Sequence, residues 1–382
     1  MSEIKVNSIK GVGASSAAIT VNNTDGTCTA NLSNRQNRNL VINGAMQVAQ
    51  RGTSSTGLGA SAGYFTLDRY RTTFSSTAGR LTMSQVADVH DGFANAMKLE
   101  CTTADTSIGS SEYFILQHKF EGQDLQQLKK GSSDAEEFTV SFYVKGNANA
   151  TYVVEMYDLD NNRQVGKTFS VTTSWTRVVL TFPADTTGAL DDDNAASLQL
   201  GIWLHAGSNY TSGTLATSWV SNVSAQRAGG ITSFFDSTDR TFFLTGLQME
   251  VGSVATDFEH RSFGQELALC QRYYQTIGVG FITACRGASS SQLLYSYTPP
   301  VNMRASPTIS TTATGFHSSF GVRSYRDGSG TSDSTTTPAT VSLYWQEINP
   351  TIHLTQTGFS VTDDRSATIF VNGGAITLSA EL

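Results

Sequence analysis

The sequence predicts a mainly β chain: an extended N-terminal arm, a large β-sandwich, a short connecting helix and a smaller C-terminal β-sandwich. Three observations carry this expectation. Short segments of alternating apolar and polar residues recur along most of the chain, separated by Gly, Asn and Asp turn signals. Charged residues are only 15% and aromatics 10%, with 34 glycines, which suits half-buried pleated surfaces joined by tight turns. One stretch, from Ser262 to Tyr274, switches to helical spacing. The implied boundaries are 1–38 for the arm, 39–260 for the large sandwich, 261–274 for the helix and 275–382 for the second β domain.

The arm contains two strand-like pieces, "IKVNSI" and "AAITV", and an Asp25-Gly26 turn signal. It is too small and polar to bury a core of its own. Its apolar residues Ile4, Val6, Ile9, Ile19 and Val21 are therefore the candidates for docking on a neighbouring molecule.

The large sandwich follows as a run of strands. Phe138, Val140, Phe142 and Val144 alternate onto one face, and Phe243, Thr245, Leu247, Met249 and Val251 share another parity. "DLDNN", "LDDDN" and "GSNYTSG" are loops by composition. Trp203 alternates with strand residues and is expected in the core. Ser262 and Gln265 form an S-x-x-Q capping box that opens the helix. Phe263, Leu267, Cys270 and Tyr274 then give it one apolar face, expected to meet the sandwich or the helix's own copies. Glu259, His260 and Arg261 are expected to tie this connector to the sandwich edge. The C-terminal domain reads as strands again, with Asn372-Gly373-Gly374 as a hairpin turn and "RSYRDGSGTSDSTTTPAT" as an exposed loop.

Net charge is −7, and the longest basic run is Lys129-Lys130, so a phosphate-tracking surface is not expected and neither is nucleic-acid binding. No apolar run reaches membrane-spanning length. The opening "MSEIKVNSIKGVG" lacks an apolar core, so a signal peptide is not expected. Cys28, Cys101, Cys270 and Cys285 are scattered without zinc-type spacing and are expected as reduced thiols.

Nucleophile-elbow, HExxH and P-loop motifs are lacking. Asp158/Asp160 and Glu136/Glu137 read as turn and edge acids, so no catalytic residue and no cofactor is expected. Asp191, Asp192 and Asp193 are weak calcium candidates, as hard oxygen ligands in one loop. Ring stacking on a sugar needs an exposed aromatic among polar neighbours. Tyr210 in "GSNYTSG" fits best, followed by Tyr325 and Trp345 in the second domain.

Several longer segments carry a resemblance. "NLVINGAMQVAQRGTS", "FTLDRY", "GSNYTSGTLATSW" and "LTGLQMEVGSVATDFEHRSFGQELALCQRYYQ" resemble tail-fibre-type proteins of tailed phages. The opening "MSEIKVNSIKGVG" is similar to their particle-attachment arms. "PPVNMRASPTIS" and "AITLSAEL" are similar to their C-terminal β domain. "FTVSFYVKGNANATYVVEMYD" with "GKTFSVTTSWTRVVLTFP" resembles the CenC-like carbohydrate-binding jelly rolls, in which a Trp opens the strand that Trp175 would open here.

The resemblance implies that the large sandwich is a jelly roll. It also implies a non-enzymatic virion protein, assembled in the host bacterial cytoplasm, that docks on other virion proteins through its arm. Such a fibre would be a homotrimer that meets a host-surface glycan. A capsid fibre or decoration protein is the alternative, and a glycan depolymerase a weaker one.

Overall fold

In the computed structural model, the alternation read from the sequence closes into two facing antiparallel sheets. The structure describes residues 6–10, 12, 19–21, 24, 28–30, 37–88, 90–278, 282–289, 292–311, 320–325, 331–334, 341–344, 352–357, 366–371 and 375–382. In the arm, β1 (Ser8–Ile9), β2 (Ile19–Val21) and β3 (Cys28–Ala30) form a small sheet in that order. Val6 and Ile9 stay 46% and 54% exposed, and Ile19 and Val21 are half-buried. Ile4 lies outside the described residues.

The large sandwich begins with β4 (Ser54–Leu58), β5 (Gly63–Tyr64), β6 (Arg71–Ser75), β7 (Arg80–Val86) and β8 (Ala96–Thr103). It continues with β9 (Tyr113–Glu121), β10 (Phe138–Gly146), β11 (Ala150–Asp158), β12 (Arg163–Val171) and β13 (Thr176–Phe182). β14 (Ala196–Ala206), a one-turn helix α1 (Ser208–Thr211), β15 (Val220–Ser221) and β16 (Thr241–Val251) complete it. One sheet has the order β13-β10-β16-β8-β7-β4; the other runs β15-β12-β11-β14-β9-β6-β5. The chain passes repeatedly from one sheet to the other, as a jelly roll does.

The core lies between the sheets. Phe138, Val140, Phe142 and Val144 point into it from β10, as expected, and meet Tyr152, Val154 and Met156 of β11. β16 departs from the expected single parity. Its core residues are Phe242, Leu244, Leu247 and Met249, while Phe243 is only half-buried. The parity changes at Gly246, whose φ of 62° is a left-handed conformation, and the pairing with β10 slips between Ser141 and Tyr143. One extra residue at such a bulge turns every side chain beyond it to the other face.

The capping box forms as expected: Ser262 accepts from the Gln265 amide, and the Gln265 side chain accepts from the Ser262 backbone. The expected helical face needs correction. The helix α2 spans Phe263–Gln271, and Tyr274 belongs to the strand that follows. Cys270 and Tyr274 are buried within this chain, whereas Phe263 is 58% exposed. The reason is ionic. Glu266 accepts from the Asn43 amide and faces Arg261, so α2 lies down on the sandwich edge. Glu259 and Arg261 fasten the same edge, Glu259 by accepting from the Asn37 and Asn39 amides, Arg261 by donating to the Val41 and Asn39 carbonyls. His260 packs against Phe93 and Phe258.

Beyond α2 come β17 (Tyr274–Ile277), β18 (Ile282–Ser289), β19 (Gln292–Tyr297), β20 (Thr308–Thr311) and β21 (Phe320–Tyr325). Then follow β22 (Thr331–Ser334), β23 (Val341–Tyr344), β24 (Ile352–Thr357), β25 (Ser366–Val371) and β26 (Ile376–Ser379). They form a three-stranded sheet, β17-β26-β20, and a seven-stranded one, β22-β21-β25-β18-β19-β24-β23. Residues 372–374 lie outside the described residues.

The chain's last residues return to the sandwich. Glu381 accepts from Arg51 at 3.0 Å and from Arg69. Each guanidinium also lies over a ring: Arg51 is 3.6 Å from the Tyr274 centroid and Arg69 is 3.4 Å from that of Tyr273. Cys101 and Cys270 are free and buried.

Candidate functional site

The outer face of the seven-stranded sandwich sheet carries the candidate site. Three adjacent strands contribute by the period-2 rule: Tyr113, Ile115 and Gln117 from β9, Gln199 and Trp203 from β14, and Tyr157 from β11. The β14–β16 connection folds over one end and adds Tyr210 from α1 and Arg227. Together they line a groove of about 300 Å³. Gly201 lies between Gln199 and Trp203 on β14, so the floor there has no side chain. Ile115 and Trp203 are buried beneath the connection in a small apolar cluster with Val153, Ala206 and Ala228.

Polar anchors fix this wall. Glu155 is 1% exposed and accepts from Arg227 at 2.6 and 2.7 Å and from Trp203 Nε1 at 2.9 Å. Burial alone would lower the Arg227 pKa, but its bonds and charge pairing with Glu155 outweigh that and raise it. The Arg227 guanidinium lies 4.7 Å from the Tyr157 ring centre and 4.9 Å from that of Trp203. Tyr210 meets Tyr113 edge to face at 5.3 Å. Burial raises the Tyr210 phenol, so it stays a neutral hydrogen-bonding group near neutral pH. Gln117 Oε1 accepts from Thr73 at 2.7 Å and from Arg71 at 3.1 Å, which leaves the amide nitrogen as its remaining donor. Half-buried rings beside fixed amides and a guanidinium can stack on the apolar face of a sugar and bond its hydroxyls.

Of the residues singled out from sequence, Tyr210 is in this groove. Trp203 is fully buried as expected, but on the outer side of the sheet under the connection and not between the sheets. Tyr325 ends β21 with its side chain outside the described residues, and Trp345 lies wholly outside them. Asp191, Asp192 and Asp193 are exposed and do not converge; Asp193 instead accepts from the Ala195 amide. Among the described residues, the group of acids and histidine with converging donor atoms is a different one, Asp105, Glu112 and His205. Asp158 is no free acid, since it is fully buried and paired with Lys130.

Sequence reading missed Tyr113, Tyr157, Gln117, Gln199 and Arg227. For the first four the available signal was the second parity of β9, β11 and β14, where aromatic and amide residues alternate with the core set; Arg227, in the connection, had none.

A larger groove, about 850 Å³, runs along α2 past Glu259, Arg261 and Arg272. Its charged groups are already committed, Arg272 to Glu121 at 2.6 Å and Glu259 to two backbone amides. Among the described residues its lining holds no Tyr, Trp or Phe, so the smaller aromatic groove is the better candidate for sugar stacking.

No protein-family model matches the chain, and no curated protein matches it. Similar solved structures exist. A family 4 carbohydrate-binding module is 12% identical over 55% of this chain and 97% of its own, with a TM-score of 0.29. A family 61 module in complex with β-1,4-galactotriose is 10% identical over 56% of this chain and 99% of its own, with a TM-score of 0.29. A family 11 module of a cellulosomal cellulase from Clostridium thermocellum is 12% identical over 54% and 98%, with a TM-score of 0.26. At such identity and score, the likeness says nothing about what this chain binds.

Proposed function

We propose that this chain is a non-enzymatic, glycan-recognising structural protein of the tail-fibre type, whose jelly roll holds sugar in the outer-face groove. The observation that carries the glycan reading is the convergence of Tyr113, Tyr157 and Tyr210 with Gln117, Gln199 and Arg227. The groove's volume suits one or two sugar units, at the small end of ligand pockets. The virion setting and a homotrimeric state rest on the sequence resemblance and on an arm whose apolar residues Val6 and Ile9 are exposed. With Cys270 and Tyr274 buried within one chain, self-association would use the arm and the exposed Phe263.

Titration of the full chain with oligosaccharides by calorimetry tests the glycan reading. Tyr210→Ala and Tyr157→Ala are expected to weaken binding about tenfold each, equivalent to about 1.4 kcal/mol, with the melting temperature little changed. Binding that survives both substitutions sinks the groove assignment. New reducing ends on incubation with polysaccharide would overturn the non-enzymatic part.

A further inference from the structure

The groove leaves one buried cluster unexplained. His205 lies near the end of β14, Glu112 immediately precedes β9, and Asp105 follows β8. Their donor atoms all lie within 4.8 Å of one another. His205 is 0% exposed and Asp105 5%. His205 Nε2 faces Glu112 Oε2 at 3.5 Å; both atoms are sealed from solvent and, among the described residues, neither has a hydrogen-bond partner. That separation is too long for a good hydrogen bond. It is close to the roughly 3.4 Å between two ligands that share one tetrahedral zinc ion at about 2.0–2.1 Å from each.

The outer contacts fit the same reading. His205 Nδ1 lies 2.8 Å from Ser233 Oγ, a partner that can accept a hydrogen bond from Nδ1–H and so leave the Nε2 lone pair facing inward. Asp105 Oδ2 is held by Thr77 Oγ1 at 2.7 Å and the Ala78 amide at 2.8 Å, which orients its carboxylate. The Phe235 ring lies 5.3 Å from the imidazole.

We propose that Asp105, Glu112 and His205 form a structural binding site for a divalent cation of the zinc type. One imidazole nitrogen with two carboxylate oxygens suits zinc, whereas calcium takes oxygen ligands alone. The ion would join the 105–112 segment to the end of β14, beside the Tyr113 wall of the groove. The rival arrangement is a proton on Nε2 shared with Glu112, which needs no metal.

The test uses the untagged full chain after chelation and dialysis. Calorimetry is expected to show one Zn²⁺ per chain, and Zn²⁺ but not Ca²⁺ is expected to raise the melting temperature by several degrees. Co²⁺ should give the intense visible bands of four-coordinate geometry. Glu112→Gln and His205→Gln should each abolish stoichiometric uptake. Should these variants fail to fold, the Co²⁺ spectrum of the unaltered chain decides. Absence of one-to-one uptake overturns the proposal, as do six-coordinate Co²⁺ spectra or uptake that persists in a folded Glu112→Gln chain.

Discussion

Buried carboxylates set the behaviour of single residues here. Glu155 sits under the groove with Arg227 and Trp203 as its donors. Glu155→Gln loses the charge that offsets Arg227, and removing one partner of a buried pair costs about 3 kcal/mol or more. Denaturant unfolding is expected to show a lower midpoint with an unchanged slope. Asp68, fully buried beside Gln50 and Arg51, is pushed up from 3.8 to about 6, chiefly by burial. Its folded pKa therefore lies above its unfolded one, so the folded state holds the proton more tightly. Stability from this group is fully present below about pH 4 and is lost as pH rises through 6, on the order of 3 kcal/mol in all. In Asp68→Asn, unfolding free energies measured from pH 4 to 7 should lack that decline. Tyr210 was legible as a candidate because it is an aromatic in a Gly/Ser loop, and it lines the groove. Glu155 and Arg227 were not legible. They are 72 positions apart, and nothing local tells a paired buried acid from an edge acid.

Among the elements, α2 and β16 show opposite degrees of legibility. The α2 start was readable to the residue, because a capping box is local chemistry within four positions. Ser262→Ala should cost about 1 kcal/mol, seen as a small loss of thermal stability. The face α2 buries was not readable, since Glu266 and Arg261 bind backbone groups more than 200 positions earlier. On β16 the alternation looked continuous through Gly246, but the bulge there hides behind an unbroken apolar pattern. A methyl group at Gly246 would come within 2.6 Å of the Phe93 ring and would sit on a left-handed backbone. Gly246→Ala is expected to destabilise by more than about 1 kcal/mol and to quicken hydrogen exchange along β10.

For the whole molecule, the division into an arm, a jelly roll and further β sheets follows the order expected from sequence. Of the two places expected for the helix, the sandwich or its own copies, α2 takes the sandwich, and β17 and the residues after β26 fasten there too. Their closure rests on Glu381 between Arg51 and Arg69. Glu381→Ala leaves the buried Arg69 guanidinium without its carboxylate, while Arg51 keeps Asp68 at 3.5 Å, and should cost about 3 kcal/mol. Hydrogen exchange should show the loss first in β17 and β26. Light scattering of the full chain is expected to give three times the 40.9 kDa monomer, and a monomer well above micromolar concentration would remove the trimer from the proposed function.

The Glu381 clamp also bears on how the protein is made. It joins positions 330 and 312 residues apart, so that part of the fold cannot lock until nearly all of this sequence has left the ribosome. Until then Arg51 and Arg69 lack the Glu381 carboxylate, and a nascent sandwich would offer chaperones a more basic edge than the finished molecule does.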